Sequence, residues 1–284
     1  MKVAIPDLVS PSYFPLIAAV EMGFLEAKLD LIYPVTRTYE ELREGRLDLV
    51  GGAAHAPLYA FKDWQGCKLL CALAQNMYWF LVTNKKLSVR DLSGVKGLRI
   101  GAAPGPADGL KQMLKREGIE AQVGPVPGVV GEKASFGLMA AQALQEGKID
   151  AFWANGMGAE IAVRNGVGSV VLDVRREGSD EWKGYTFPAL VARADIDADT
   201  ARMAIRAVAA AHDALKKDPG RATEIGRKHF PPAEAELIAE LIRRDLPYYD
   251  AAISQKSFAS MNRFAQELGL LSQKVSYEDV VWKS

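Results

Sequence analysis

The residues of this sequence best suited to hold a small molecule fall in four short loops. Ser10, Ser12 and Tyr13 lie in the first (10–15), and Gly52, Ala54 and His55 in the second (51–57). Pro106, Ala107 and Asp108 lie in the third (104–109), and Trp153, Asn155 and Gly156 in the fourth (153–158). Trp79, next to Tyr78, is a further candidate. Hydroxyl, amide and imidazole groups can form hydrogen bonds to a ligand, and aromatic rings can wall a flat one. Glycines at 51, 52, 105, 109, 156 and 158 would let backbone approach closely. Three of the loops run into expected helix starts, whose free N–H groups attract anionic or polar atoms.

No set of residues for making and breaking bonds accompanies them. G-x-S-x-G and H-E-x-x-H are both absent, and His55, His212 and His229 sit on unrelated segments. Gly101-Ala102-Ala103-Pro104-Gly105 is neither a Walker loop nor G-x-G-x-x-G, and Glu40-Glu41 reads as the solvated face of an amphipathic helix. Cys67 and Cys71 are not spaced as C-x-x-C and stand four apart on an extended segment, too far for a disulfide. They read as two small, semi-buried side chains. The expectation is binding, with no catalytic residue, metal or cofactor.

Each candidate also has a purely structural reading. At least one of Ser10 and Ser12 is expected to cap the first helix. Tyr13 is read as a wall for the ligand and Phe14 as core. His55 is read as a hydrogen-bonding contact. Asp108 either complements a helix dipole or accepts from a ligand N–H. Phe152 and Trp153 should point to opposite faces of a strand, Phe152 packed and Trp153 lining the site. Asn155 either contacts ligand or occupies a turn at positive φ. Of Tyr78 and Trp79, one should face the ligand, and Trp79 is taken. Glu160 is expected in solvent or in an ion pair along its helix.

An internal echo supplies the elements that position these loops. Residues 39–52 and 141–154 share a short amphipathic helix, a glycine stop (Gly45, Gly147), a basic residue, an aliphatic, an Asp (Asp48, Asp150) and an apolar strand. Gly suits the end of a helix because it adopts positive φ without a Cβ clash. Upstream, a strand (2–8), loop, helix (16–22) ending at Gly23 and strand (29–33) match a strand (97–101), loop, helix (110–117) ending at Gly118 and strand (121–126). Two α/β lobes follow, each a mainly parallel sheet flanked by helices. Apolar runs at 77–83 and 185–192 read as the two crossovers. Lobe 1 is then 1–83 with 190–284, and lobe 2 is 84–189, inserted in it. Beyond Asp199 the period is helical at 201–217, 222–229, 233–246 and 256–268. Ligands bind outside the carboxyl ends of the strands in open parallel sheets, which selects these loops and places them around one cleft.

Composition agrees with that plan. The chain has 284 residues, 49% hydrophobic and 25% charged, with 35 basic and 35 acidic side chains. Such a chain has enough apolar surface for about two packed domains. Balanced charge argues against a nucleic-acid partner, and no window approaches the roughly 18 apolar residues of a membrane span.

The order and spacing of several segments carry a resemblance. They are Ser12-Tyr13-Phe14-Pro15-Leu16 with Gly23-Phe24, then 45–52 (Gly-Arg-Leu-Asp-Leu-Val-Gly-Gly), 91–101 (Asp-Leu-Ser-Gly-Val-Lys-Gly-Leu-Arg-Ile-Gly) and 147–153 (Gly-Lys-Ile-Asp-Ala-Phe-Trp). Together they resemble type II periplasmic substrate-binding proteins of ABC importers. Within these the chain is most similar to the nitrate/sulfonate/taurine group, which includes the thiamine-pyrimidine synthase-like domain. The resemblance spans nearly the whole chain. It implies the two-lobed periplasmic-binding-protein type II fold, a two-strand hinge, closure on a small molecule, a membrane permease as partner, a monomer and a periplasmic location. The start Met1-Lys2-Val3-Ala4-Ile5 runs directly into a strand pattern without signal-peptide features, which points to the cytoplasm if Met1 is the native start.

The same fold also hosts enzymes. Desulfinase-like relatives use a Cys in the first loop, where this chain has Ser10-Pro11-Ser12. Pyrimidine synthases use a Lys and a His near the second loop and a Cys-rich motif. This chain has His55, but Gly51-Gly52-Ala53-Ala54 holds no Lys and the motif is missing. The alternative function is therefore a cytoplasmic enzyme, menaquinone-pathway-like or pyrimidine-synthase-like. The four loops contain no Arg or Lys, and Tyr13, Trp79 and Trp153 suit a flat partner. The expected ligand is a planar organic acid or a pyrimidine-like heterocycle.

Overall fold

The computed structural model describes residues 1–128 and 135–283. The chain forms two compact units, Met1–Asn76 with Gly184–Ser284, and Met77–Lys183. Unit 1 opens with β1 (Lys2–Ile5), α1 (Phe14–Glu21), β2 (Lys28–Leu31), α2 (Val35–Arg43), β3 (Leu49–Ala53) and β4 (Cys67–Ala72). Unit 2 contains β5 (Phe80–Asn84), β6 (Arg99–Ala102), α3 (Ala107–Arg116), β7 (Gln122–Gly124), α4 (Phe136–Gln145), β8 (Ala151–Ala154), α5 (Gly156–Arg164) and β9 (Gly168–Asp173), then short α6 (Val174–Glu177) and α7 (Asp180–Lys183). The chain returns to unit 1 with β10 (Pro188–Arg193), α8 (Ala198–Lys217), α9 (Arg221–His229), α10 (Pro232–Asp245), α11 (Gln255–Glu267) and α12 (Tyr277–Val280).

The echo in the sequence is an echo in structure. Helices α1, α2, α3 and α4 each run into a left-handed glycine, with φ of 76° at Gly23, 74° at Gly45, 65° at Gly118 and 71° at Gly147. That conformation turns the chain back so that the next backbone N–H groups satisfy the last helix carbonyls. Gly45 N donates to Leu42 O and Arg46 N to Glu41 O, as Gly147 N does to Leu144 O and Lys148 N to Ala143 O. The motif aspartates then accept from the adjacent parallel strand of their own sheet, Asp48 from Lys2 N on β1 at 2.8 Å and Asp150 from Arg99 N on β6 at 2.9 Å.

The sheets have matching orders, β2-β1-β3-β10-β4 and β7-β6-β8-β5-β9. In each, the first three strands are parallel and the fourth position is antiparallel to both neighbours. That reversed strand is the crossover strand, β10 in unit 1 and β5 in unit 2. The units divide at 76/77 and 183/184 rather than after residues 83 and 189. The reason is pairing: β5 bonds to β8 and β9, while β10 bonds to β3 and β4. The crossing stretches 73–79 and 184–187 lie outside the strands, so the strand expected over 77–83 begins only at Phe80. They are tied together within unit 1 by Leu73 N to Pro188 O and within unit 2 by Met77 N to Lys183 O.

Strand β9 was not among the expected elements; Val170-Val171-Leu172 before Asp173 is its signal. The C-terminal helices belong to unit 1, with α8 against α1 and α10 against α9. Cys67 and Cys71 are free thiols, fully buried in β4 rather than semi-buried. Burial pushes both up to about 12.

Candidate functional site

The reversed strand decides what stands at the carboxyl edge of each sheet. Because β10 runs against β3, Pro188 pairs with Ala53, so Phe187 and Thr186 lie where β3 ends. Ala54 N donates to Phe187 O at 2.8 Å, and His55 Nδ1 lies 2.9 Å from Thr186 Oγ1. His55 is 2% exposed and meets Phe264 edge-on at 5.2 Å, while Tyr185 stacks on the same Phe264 at 4.4 Å. The loop after β3 leads only into a four-residue 3-10 helix, 56–59, rather than a long helix.

The first loop corrects one expectation. The residue preceding α1 is Tyr13, with no side-chain cap, so neither Ser10 nor Ser12 caps the helix. Ser10 Oγ instead accepts from Ser12 N at 3.3 Å within the loop. Both serines are buried. Tyr13 is also buried, its hydroxyl held above its ordinary range by burial and then by the Asp7 charge. Phe14 is fully buried, edge-on to Phe230.

In unit 2 the same geometry brings Tyr78 and Trp79 to the ends of β8 and β9, since Phe80 pairs with Ala154 and with Asp173. Trp79 is half-buried and stacks nearly parallel to Trp153, centroids 6.3 Å apart. Trp153 does not line an open surface: it and Phe152 are both fully buried. A buried indole N–H needs an acceptor; Trp153 Nε1 donates to Pro106 O at 2.9 Å. Pro106 precedes α3, and Ala107 is buried while Asp108 is half-buried in its first turn. Asn155 is not a positive-φ turn residue. It caps α5 with φ −70°, its Oδ1 accepting from Met157 N at 3.0 Å and Gly158 N at 3.5 Å. Glu160 pairs with Arg164 along α5 at 2.6 Å.

Several of the site glycines are required by internal packing. A Cβ at Gly51 would meet Leu16, at Gly52 the Tyr39 hydroxyl, at Gly109 the Met77 sulfur, at Gly156 the Tyr78 hydroxyl and at Gly158 the backbone of Gly137.

Two residues escaped the sequence reading. Thr186 holds His55, and Arg175, the second residue of α6, is 1% exposed with its guanidinium 4.2 Å from the centroid of the Tyr78 ring. The carboxyl edges thus gather buried polar side chains (Ser10, Ser12, His55 and Thr186 in unit 1, Asn155 and Arg175 in unit 2) where apolar residues would be cheaper to bury. Among the described residues, no group of three His, Cys, Asp or Glu is placed to hold a metal ion. Among the described residues, no helix is long and apolar enough to cross a membrane either.

No protein-family model matches the chain, and no curated protein matches it. Solved structures do. The alkanesulfonate-binding protein SsuA of Xanthomonas axonopodis pv. citri, bound to MOPS, is similar at a TM-score of 0.77 and 15% identity, over 100% of this chain and 98% of its own. The periplasmic aliphatic sulphonate binding protein SsuA of Escherichia coli is similar at 0.74 and 13%, over 97% and 94%. The chain has the fold of these binding proteins. It is the two-lobed, α/β type II periplasmic-binding-protein fold. A DszB variant in complex with biphenyl-2-sulfinic acid is also similar, at 0.65 and 15%, over 97% and 94%. Within this fold, both thiols of the present chain are buried within β4.

Proposed function

We propose that this protein is the substrate-binding component of an ABC importer and binds a small ligand. The observation that carries the reading is the gathering of buried polar side chains at the carboxyl edges of both sheets, on a fold shared with sulfonate-binding proteins. The contacts proposed are Ser10, Ser12, Tyr13, Gly52, Ala54 and His55 from unit 1, and Trp79, Pro106, Ala107, Asp108, Trp153, Asn155 and Gly156 from unit 2. Trp153 acts here by backing Trp79, whose half-buried ring offers a flat surface. The proposed ligand is a planar organic acid or a pyrimidine-like heterocycle, the protein a monomer in the periplasm, and its partner a membrane permease.

A non-enzymatic role is supported by the chemistry of the thiols. A nucleophilic cysteine must reach the thiolate form, and Cys67 and Cys71 are buried with their values raised to about 12. The test is a thermal-shift screen against small acids, sulfonates, pyrimidines and menaquinone precursors, with mass spectrometry of each well. A ligand that binds only the folded state raises the melting temperature by mass action. A saturable shift with the compound recovered unchanged is the expected result, and conversion of the compound would establish the enzyme instead. Tyr13→Phe in unit 1 and Trp79→Ala in unit 2 should each weaken the same ligand. Unchanged affinity in either variant would remove that residue from the proposed contacts.

A further inference from the structure

Helix α11 has two working faces. Through Phe264 it meets His55 and Tyr185 of the unit 1 edge. Asn262 stands two residues earlier, about 200° away around the helix, and lines a separate cavity within unit 1. We infer that this cavity binds a small amphipathic acid, an apolar body ending in one carboxylate, at a second site that shares no residue with the contacts proposed above.

The cavity measures about 600 Å³ and is lined by α11 and by residues 271–278. That volume is in the range of small-molecule sites. Phe258, Leu271, Val275 and Tyr277 make its lining largely apolar, with Phe258 and Tyr277 edge-on at 5.6 Å. The wall opposite α11 is fastened by the rest of unit 1. Ser272 N and Oγ donate to the Asp63 carboxylate at 2.7 and 2.6 Å, the Tyr277 hydroxyl donates to Ile253 O, and Trp282 N donates to Leu69 O at 2.9 Å. Asp63 and its neighbour Trp64 both hold left-handed backbone, φ 49° and 66°, which residues other than glycine adopt at a cost.

Asn262 points to the ligand. It is 8% exposed, and its Oδ1 accepts from Trp64 Nε1 at 3.1 Å. An indole N–H only donates, so this bond fixes which way the amide is turned and leaves Nδ2 over. Among the described residues Nδ2 has no hydrogen-bond partner, and it is not sealed from solvent. A buried amide with idle donors costs more than an apolar side chain would; a carboxylate oxygen in the cavity would satisfy it. Charge favours the same occupant. Arg263 and Lys274 stand exposed at the rim, and among the described residues neither pairs with an acid: Arg263 donates to Ser260 Oγ at 3.1 Å, and Lys274 has no partner. Glu278 is the one acid of the lining, so the two cations outweigh it. A carboxylate at Asn262 thus gains a charge-assisted bond and a cationic rim, while its apolar body covers Phe258 and Tyr277.

The test compares octanoate with its neutral counterpart octanamide, by calorimetry and by NMR of the Asn262 side-chain amide. Octanoate should bind saturably, at least about tenfold more tightly than octanamide, the range of a hydrogen bond to a charged group, and should shift the Asn262 amide resonances. Asn262→Asp keeps an acceptor for Trp64 but sets a like charge against the ligand. That variant, and the rim variant Arg263→Glu with Lys274→Glu, should each weaken octanoate by about tenfold or more and leave octanamide unchanged. Trp79→Ala should bind octanoate as the wild type does. No saturable binding, equal binding of the two probes, or full affinity in both the Asn262 and rim variants would overturn the inference. So would octanoate binding lost in Trp79→Ala and kept in the rim variant, which would assign the acid to the contacts proposed above. If Asn262→Asp does not fold, the rim variant, changed only at exposed residues, decides, with its melting curve recorded alongside.

Discussion

Equivalent positions of the two sheets hold opposite solutions to one packing problem. In the echo, Gly51 of β3 corresponds to Trp153 of β8. At Gly51 the neighbours supply the volume: a Cβ there would lie 2.6 Å from Leu16, 3.1 Å from Ile5 and 3.3 Å from Leu73. At Trp153 the strand itself supplies it, with an indole that is fully buried and bonded to Pro106 O. One scaffold thus carries a strand filled from outside and a strand that fills its own surroundings. Trp153→Ala tests the second arrangement and should have the largest effect. Removing a buried indole costs about 3–5 kcal/mol, read as a drop in the midpoint of urea unfolding. It should also free Trp79, seen as a red shift of the remaining tryptophan emission. A loss under about 1 kcal/mol would mean that the site collapses readily and that Trp153 is not a structural post.

Gly51→Ala tests the first arrangement. Adding a methyl where three side chains already touch should cost about 1–3 kcal/mol by overpacking. Leu16 is itself fully buried, so the paired variant Gly51→Ala with Leu16→Ala should lose less than the sum of the two single losses, because the added methyl takes space that the nearest neighbour gives up. Strict additivity would place the strain in the backbone instead.

The same contrast explains what the sequence could disclose. Glycine stops, motif aspartates and strand order are local, and each copy repeats them within about fifteen residues; the repeated units were legible for that reason. The C-terminal helices carried a helical period and were legible too. The surroundings of the loops were not. Trp153 is covered by Trp79, and His55 is held by Thr186, because β5 and β10 enter their sheets reversed. That reversal brings residues distant in sequence to the edge, and nothing in the spacing of the loops announces it. Arg175 is hidden for the same reason: its place depends on β9 pairing with the reversed β5. Glycines near 51 and 156 carry no label saying whether a ligand or a tyrosine stands opposite; here it is core side chains.

The loops after β3 and β8 diverge as well. Asn155 caps α5, whereas the corresponding Ala53 leads toward a 3-10 turn that starts at His55 with no side-chain cap. Asn155→Ala should lower stability by about 1 kcal/mol, the usual value of a lost cap. Asn155→Asp should retain it, because a carboxylate accepts the same backbone N–H bonds and complements the helix dipole. If Asp at 155 keeps stability but abolishes binding of an acidic ligand, the residue also faces that ligand. Unchanged binding in the Asp variant would make it a cap alone.

The smallest expected difference lies in the motif aspartates. Both accept a backbone N–H, but Asp150 also receives a two-pronged guanidinium, Arg99 Nε at 2.9 Å and Nη2 at 2.8 Å. The side-chain bonds from Arg99 lead the causes that hold the Asp150 carboxyl below its usual range, against a smaller opposing effect of burial. A carboxylate depressed in the folded state contributes stability that is complete above its unfolded value, about 3.9, and is lost as pH falls through the folded value. Asp150→Asn should therefore destabilise the protein at pH 7 by less than about 1 kcal/mol, as expected for a partly exposed pair. The gap from wild type should be constant above about pH 5 and close as the wild-type carboxyl protonates below about pH 4. Asp48→Asn keeps an acceptor for Lys2 N and breaks no guanidinium fork, so it should cost less at pH 7. Equal losses from the two substitutions would show that the fork adds nothing and that the backbone bond alone gives the motif aspartate its value in both units.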